Sequence, residues 1–175
     1  MGERIRKLLR SVDAVARVCG YLSGCLVLLM MVLILAEVVM RYAVDRPLMI
    51  SDEFSGYMLV VLSYLGLGYA WKEKAHVRVT TVVNMLPGKW PCRLRLVSLL
   101  LGLGFAALLI KLSCDYLIFS FSVHMASSTW LRTPLQIPQM ALPIGFLVLL
   151  LTIAADIAKN VLPLIAEEKP PESAS

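Results

Sequence analysis

The sequence predicts an all-α integral membrane protein with four transmembrane helices, a basic surface helix at the N-terminus and a short cytoplasmic interfacial helix. Of the 175 residues, 59% are apolar and only 17% are charged, whereas about a quarter of the residues in a soluble domain are charged. The mean hydropathy is +0.78. The apolar residues lie in four stretches, each close to the roughly 20 residues that a helix needs to cross a bilayer.

The four predicted spans cover residues 19–40, 54–71, 96–119 and 137–157, within one transmembrane domain at 19–160. Helices are expected because a helix satisfies its own backbone hydrogen bonds in lipid. A membrane barrel would instead show alternating strands of about 10 residues. In the fourth span, Pro138 suits a first-turn position, and Pro143 either kinks the helix or marks a later start.

The distribution of positive charge predicts the orientation in the membrane. The net charge is +5, and Lys and Arg gather in the N-terminal segment and in the loop between the second and third spans. Cytoplasmic loops carry such an excess, so the N-terminus, the middle loop and the C-terminus are expected to face the cytoplasm. The same placement argues against nucleic acid as a partner.

Three further segments surround the spans. Residues 1–18 read as a basic amphipathic helix in the headgroup layer, or alternatively as a basic segment without fixed structure. Residues 161–175 read as a flexible cytoplasmic tail. In the middle loop, apolar residues recur at helical spacing, which predicts a short helix on the inner surface rather than a lone strand. That interfacial segment comprises His76, Arg78, Val79, Val82, Val83 and Leu86.

Charged residues inside the spans form two candidate structural pairs. Glu37 and Arg41 are one helical turn apart, as are Lys111 and Asp115. Glu37 and Lys111 are also expected at similar depth, where they could pair across helices. Because intramembrane charges are often functional, a proton or ion relay is the alternative.

The two outer loops carry the candidate partner-binding residues. They are Arg46, Asp52, Glu53 and Arg132, whose charges suit a weak contact with a soluble protein. A structural role is equally favoured for part of this set. Ser51 would cap the second helix, and acids in its first turn would suit the positive helix end.

The motifs of the common enzyme classes are missing from the sequence. It contains no HExxH, no glycine-rich phosphate loop and no nucleophile elbow. Its four cysteines are not spaced as CxxC, and its two histidines fall in or beside loops. The sequence therefore predicts a protein that is not an enzyme and has neither a cofactor nor a metal site.

A series of short motifs in fixed order resembles one known family. Arg41-Tyr42, Pro47-Leu48, Asp52-Glu53, Gly66, His76-Val77-Arg78-Val79 and Leu86-Pro87 follow one another as in the small membrane subunit of TRAP transporters, the tripartite ATP-independent periplasmic transporters of bacteria and archaea. Residues 141–146 of the fourth span are also similar to that family. Thr80 departs from it, because family members often carry Asp there.

The resemblance implies a multi-pass accessory subunit in a bacterial or archaeal cytoplasmic membrane. It would pack against a large many-helix subunit that carries an organic acid with sodium, and would help dock the periplasmic binding protein that delivers the substrate. Two other classes are weighed against it. One is a small multidrug antiporter acting as a homodimer, for which Glu37 is predicted too near the outer face. The other is an assembly subunit of a different membrane complex.

Overall fold

The structure is a computed structural model that describes residues 3–48, 50–73, 90–127 and 132–161. Its helices are α1 (Glu3–Ala43), α2 (Ser51–Lys72), α3 (Trp90–Ser122), the short α4 (Gln136–Gln139) and α5 (Ala141–Asp156), which continues into a π-helical segment at Ile157–Val161. Within these ranges there is no β-strand, only an isolated bridge between Ala126 and Pro134.

Four helical stretches are long and apolar enough to cross a membrane. They are Lys7–Ala43, Ser51–Lys72, Leu96–Ser122 and Gln136–Lys159. Each contains one of the four spans predicted from hydropathy, so the prediction of an all-α membrane protein with four spans is confirmed. The predicted interfacial helix at 79–86 lies outside the described residues, as does the tail beyond 161.

The first helix is longer than expected. α1 runs through 41 residues without interruption, about 60 Å at 1.5 Å per residue and therefore about twice the hydrocarbon thickness. No helix boundary separates a surface segment at 1–18 from the first span. The chain has no proline there, and Gly20 and Gly24 are tolerated inside the helix. A position of the first turns in the headgroup layer stays a prediction.

The helices form an open arrangement centred on α2 and α5. α1 packs on α2 and more lightly on α5, α2 packs on α5, and α3 packs on α5. Within the described residues, the backbones of α1 and α3 do not approach each other. The expected pairing of Glu37 with Lys111 is therefore wrong, because the two residues lie on helices that are not neighbours.

Glycines allow the central helices to approach closely. A Cβ at Gly145 of α5 would lie 2.6 Å from the Tyr64 carbonyl carbon of α2, and one at Gly68 would lie 2.6 Å from Val148. Such contacts are typical of helix pairs in lipid, where small residues let backbones meet. Next to Gly145, the rings of Phe146 and Tyr64 pack edge to face with centroids 5.2 Å apart.

The fourth span is divided by its second proline. α4 ends at Gln139 and α5 begins at Ala141, which places Pro143 in the first turn of α5. Proline has no N–H to donate to the carbonyl four residues earlier, which here is that of Gln139. The interruption at Met140 therefore falls where the regular hydrogen bond is lost, and Pro143 does not kink a continuous helix.

The start of α2 also differs from its prediction. Ser51 is the first helical residue, and Ile50 occupies the cap position with helical backbone angles and no capping side chain. The Ile50 carbonyl accepts a hydrogen bond from the Phe54 N–H at 3.1 Å. The expectation of Ser51 as N-cap is wrong because the helix begins one residue earlier, and its side chain is buried instead.

Candidate functional site

Buried polar side chains gather where α1 ends, α2 begins and the α3–α4 connection lies. We call this region the Glu53 end of the molecule. Its buried polar residues are Glu37, Ser51, Glu53, Ser120 and Gln139. The other two buried polar residues of the described chain, Ser113 and Thr152, lie within the spans, so five of the seven gather at this end.

Glu37 organises the turn between α1 and α2. Its side chain is 7% exposed, and one carboxylate oxygen accepts a hydrogen bond from Arg41 at 2.8 Å. The other oxygen accepts the backbone N–H of Leu48 at 2.9 Å. The buried Ser51 hydroxyl lies next to this carboxylate, but the geometry falls short of a hydrogen bond. One oxygen is therefore paired within α1, and the other holds the end of α1 to the connection that leads into α2.

A second buried acid ties α2 to the α3–α4 connection. Glu53 accepts a hydrogen bond from the Tyr57 hydroxyl at 2.5 Å and another from Thr133. The two hydroxyl oxygens are 2.7 Å apart, so the three side chains form one cluster. Thr133 is 80 residues from Glu53 in sequence. Glu53 is one of the four predicted docking residues, but its carboxylate accepts hydrogen bonds from within the chain.

Backbone hydrogen bonds shape the connection that carries Thr133. The Ser127 N–H donates to the Thr133 carbonyl at 2.9 Å, and the Leu135 N–H donates to the Met125 carbonyl at 3.2 Å. Arg132, the residue before Thr133, has a positive φ of 46°. The two sides of this loop therefore pair antiparallel, and this pairing presents the Thr133 side chain to α2.

The other three predicted docking residues are exposed at the same end. Arg46 follows α1, Asp52 lies in the first turn of α2, and Arg132 lies in the α3–α4 connection. They could be recognised from the sequence because charged residues in the short loops of a membrane protein are easily seen. Their roles in binding stay predictions.

Lys111 and Asp115 lie apart from this network. Both side chains are exposed on α3, and no ion pair joins them in the structure, although their spacing predicts one. In the described part of the chain, neither has a hydrogen-bond or ion-pair partner. Their predicted role as a structural pair has no contact to support it.

The opposite end of the molecule holds a contact that the sequence did not suggest. Asp13 of α1 forms an ion pair with Lys159, which follows α5 by three residues and is 146 residues away in sequence. Three residues after Asp13, and on the same side of the helix, Ala16 is fully buried. The part of α1 predicted as a surface helix is therefore attached to the end of the last span.

No site for metal chemistry is formed by the residues that the structure describes. Across 3–48, 50–73, 90–127 and 132–161, no three His, Cys, Asp or Glu side chains come close enough to hold an ion together. What the Glu53 end offers is an internal hydrogen-bonded network with exposed charged side chains at its surface, the three predicted docking residues among them.

Comparison with known proteins gives a consistent result. A family model described as "Tripartite ATP-independent periplasmic transporters, DctQ component" matches residues 30–162. A Haemophilus influenzae protein named as a TRAP transporter small permease is 41% identical over 59 residues, 34% of this chain and 37% of that protein. The ectoine TRAP transporter small permease protein TeaB of Halomonas elongata is 30% identical over 61 residues, 35% and 32% of the two chains. The matched stretches span about a third of each relative's length.

Proposed function

This chain belongs to the DctQ component family of the tripartite ATP-independent periplasmic (TRAP) transporters, and we propose that it acts as the accessory membrane subunit of such a transporter. It would pack against a large many-helix subunit in the cytoplasmic membrane. That subunit would move an organic acid together with sodium, and a periplasmic binding protein would deliver the substrate. The chain itself would carry no substrate and catalyse no reaction.

The observation that carries this proposal is the open arrangement of the helices. In the most apolar 18-residue stretch of α1, only 6% of the residues are buried within the chain. The corresponding stretch of the fourth span has the largest buried share of the four, and it reaches only 33%. Two hydroxyls are buried within the spans away from the ends, those of Ser113 and Thr152. Each donates to a carbonyl of its own helix. The described helices thus supply wide apolar surfaces for a partner and lipid. The two hydroxyls are bonded within their own helices and do not line a path for a substrate.

The position of Glu37 argues against the small-antiporter alternative. An exchanging acid must release its proton to one side and bind a cation from the other. Glu37 instead lies six residues before the end of α1, with Arg41 on one oxygen and the Leu48 backbone on the other. These contacts support a structural role for the carboxylate.

The exposed charges of the Glu53 end support a docking role. If both termini face the cytoplasm, as the charge distribution predicts, this end faces the periplasm, where the binding protein resides. Arg46, Asp52 and Arg132 would then form a weak, salt-sensitive contact. The network below them would hold the two loops at a fixed separation, so Glu53 would act by positioning rather than by contact.

Reconstitution tests the accessory role directly. We expect the purified chain in liposomes to take up no organic acid under a sodium gradient, and uptake to appear when the large subunit and the binding protein are added. Reversal of Arg46 together with Arg132 should reduce that uptake most at low salt, where exposed charges are least screened, while the membrane complex copurifies unchanged. Sodium- or proton-driven transport by the isolated chain would refute the proposal and favour the antiporter class.

Cysteine labelling tests the orientation on which the docking argument depends. In a background without native cysteines, a cysteine at Asp45 should react with an impermeant reagent added outside intact cells. A cysteine at Arg10 should react only after the membrane is opened. Labelling of position 10 from outside would place the Glu53 end in the cytoplasm and remove the docking role.

A further inference from the structure

We propose that the exposed side of α3 that carries Lys111 and Asp115 is the surface on which the large membrane subunit packs. We call it the Lys111 face; its members are Leu101, Gly104, Leu108, Lys111, Asp115 and Ile118. The proposal rests on the proposed function, since it assigns a particular surface to the partner assumed there.

The spacing of these residues places them on one side of the helix, away from the rest of the chain. They recur at intervals of three and four residues, the period of one helical face. The buried residues of α3 recur every seventh position at Leu99, Ala106, Ser113 and Ser120. At 100° per residue the two sets lie about half a turn apart, so the Lys111 face points away from α5.

The charges of this face lie deep in the span. The membrane-spanning part of α3 runs from Leu96 to Ser122, and Lys111 is 11 residues from the nearer end, about 16 Å along the helix. Asp115 is one turn closer to that end. The helix continues to Ser122, beyond the end expected from hydropathy at 119, so Lys111 lies further from a helix end than the sequence suggested.

Charged side chains at such depth need polar or oppositely charged partners. In known membrane proteins they face the interior of a bundle or a water-filled cavity, and they pair there. Within the described residues Lys111 and Asp115 have no partner, and the neighbouring apolar side chains are exposed, with Leu101 at 70% and Ile118 at 67%. A surface from another protein would supply the missing contacts.

The same face has room for a close approach. A Cβ placed on Gly104 would meet nothing within 4 Å, so a partner helix could come near the α3 backbone next to Leu108 and Lys111. The partner should offer an acceptor for the Lys111 ammonium, either a carboxylate or exposed backbone carbonyls. About one turn away it should offer a donor for Asp115.

The charges favour a different chain over a second copy of this one. Two parallel copies related by a two-fold axis along the membrane normal would bring the Lys111 side chains to the same depth, and likewise the two Asp115 side chains. Like charges would then meet across the interface, which is unfavourable. The large subunit of the proposed transporter has a different sequence, so its helices need not place like charges opposite Lys111 and Asp115.

Exchange of the two charges tests the proposal. The variant Lys111→Asp with Asp115→Lys keeps both charges on the same face and keeps any pairing within the helix. If the charges merely reach toward lipid headgroups or toward each other, the exchange should be silent. If they meet fixed partner groups, recovery of the large subunit with the tagged chain should fall about tenfold. Thermal unfolding of the chain alone should be unchanged, which shows that it still folds.

Photo-crosslinking distinguishes this proposal from the proposed function itself. A crosslinking residue at Leu108 should capture the large subunit, and one at Leu35 of α1, a similarly exposed position (51% and 60%), should not. Capture from Leu35 alone, with a silent exchange, would overturn the assigned face and leave the accessory role intact. Capture of a second copy from Leu108 would assign the face to a homo-oligomer and overturn the proposal. A large subunit that neither copurifies nor crosslinks would refute the proposed function as well.

Discussion

Replacement of Gly145 by alanine should separate the two central helices. A Cβ at this position would lie 2.6 Å from the Tyr64 carbonyl carbon and closer still to its oxygen. Ordinary van der Waals contact begins at 3.4 Å, so the backbones of α2 and α5 would have to part by about 1 Å in a close-packed interface. The obstacle is backbone, which cannot rotate away as a side chain can.

Two opposing effects decide the size of the change. Forcing an extra methyl group into a packed interface costs about 1–3 kcal/mol. Alanine also favours the helix over glycine by up to about 1 kcal/mol. We therefore expect the free energy of unfolding to fall by about 1–2 kcal/mol. The ring contact between Tyr64 and Phe146 should loosen with it, because Tyr64 carries the obstructing carbonyl and Phe146 directly follows Gly145.

The chain offers matched controls for this measurement. Gly24 and Gly104 have open space where a Cβ would be added, so alanine there should leave the stability equal or slightly higher. Gly68 lies between the two cases, since its nearest obstacle is the Val148 side chain, which can adjust. Unfolding of all four variants in mixed detergent micelles, followed by far-ultraviolet circular dichroism, gives the order of stability.

The expected order is Gly145→Ala least stable, then Gly68→Ala, with Gly24→Ala and Gly104→Ala at or above the wild-type value. Equal stability for Gly145→Ala and Gly24→Ala would show that α2 and α5 do not meet through backbone at Gly145. The helix order derived from that contact would then need revision.

Two further predictions concern the polar contacts at the ends of the molecule. Tyr57→Phe should lower the free energy of unfolding by about 1–3 kcal/mol, because it removes a hydrogen-bond donor from buried Glu53. Proteolysis near Thr133 should also become faster. Unchanged stability and cleavage would show that the cluster does not hold the loop. Reversal of either Asp13 or Lys159 alone should cost under about 1 kcal/mol, since the pair is partly exposed, and the double exchange should restore the melting temperature. Additive losses in the double variant would show that the two do not interact.

Hydropathy predicted the four spans because a membrane span depends only on the apolar composition of one continuous stretch of sequence. The ends of the described helices lie within six residues of the predicted span ends, except at the N-terminus. There, a change from basic to apolar residues at 18–19 suggested a boundary that the backbone does not have. Composition changes at that point while helix propensity does not, so the helix continues.

Contacts between distant residues could not be read from the sequence. The spacing of Glu37 and Arg41 places them within reach on any helix, and they are 2.8 Å apart. Tyr57 is likewise one turn from Glu53, a signal that could have been noticed. Thr133 could not, because its position depends on the pairing of a loop 80 residues away in sequence. The order of the helices around α2 and α5 was inaccessible for the same reason.

Glu37 and Lys111 show two different solutions for a charge inside a membrane helix. Glu37 is buried by its own chain, and both of its oxygens accept hydrogen bonds from residues within a short stretch of sequence. Lys111 lies deeper in its span, yet it points away from every helix of the described chain and has no partner there. A protein that stood alone in lipid would gain by replacing such a lysine with leucine, because the isolated charge is unfavourable at that depth. The lysine is therefore best understood as half of a contact, with the other half on the large subunit that we propose as the partner.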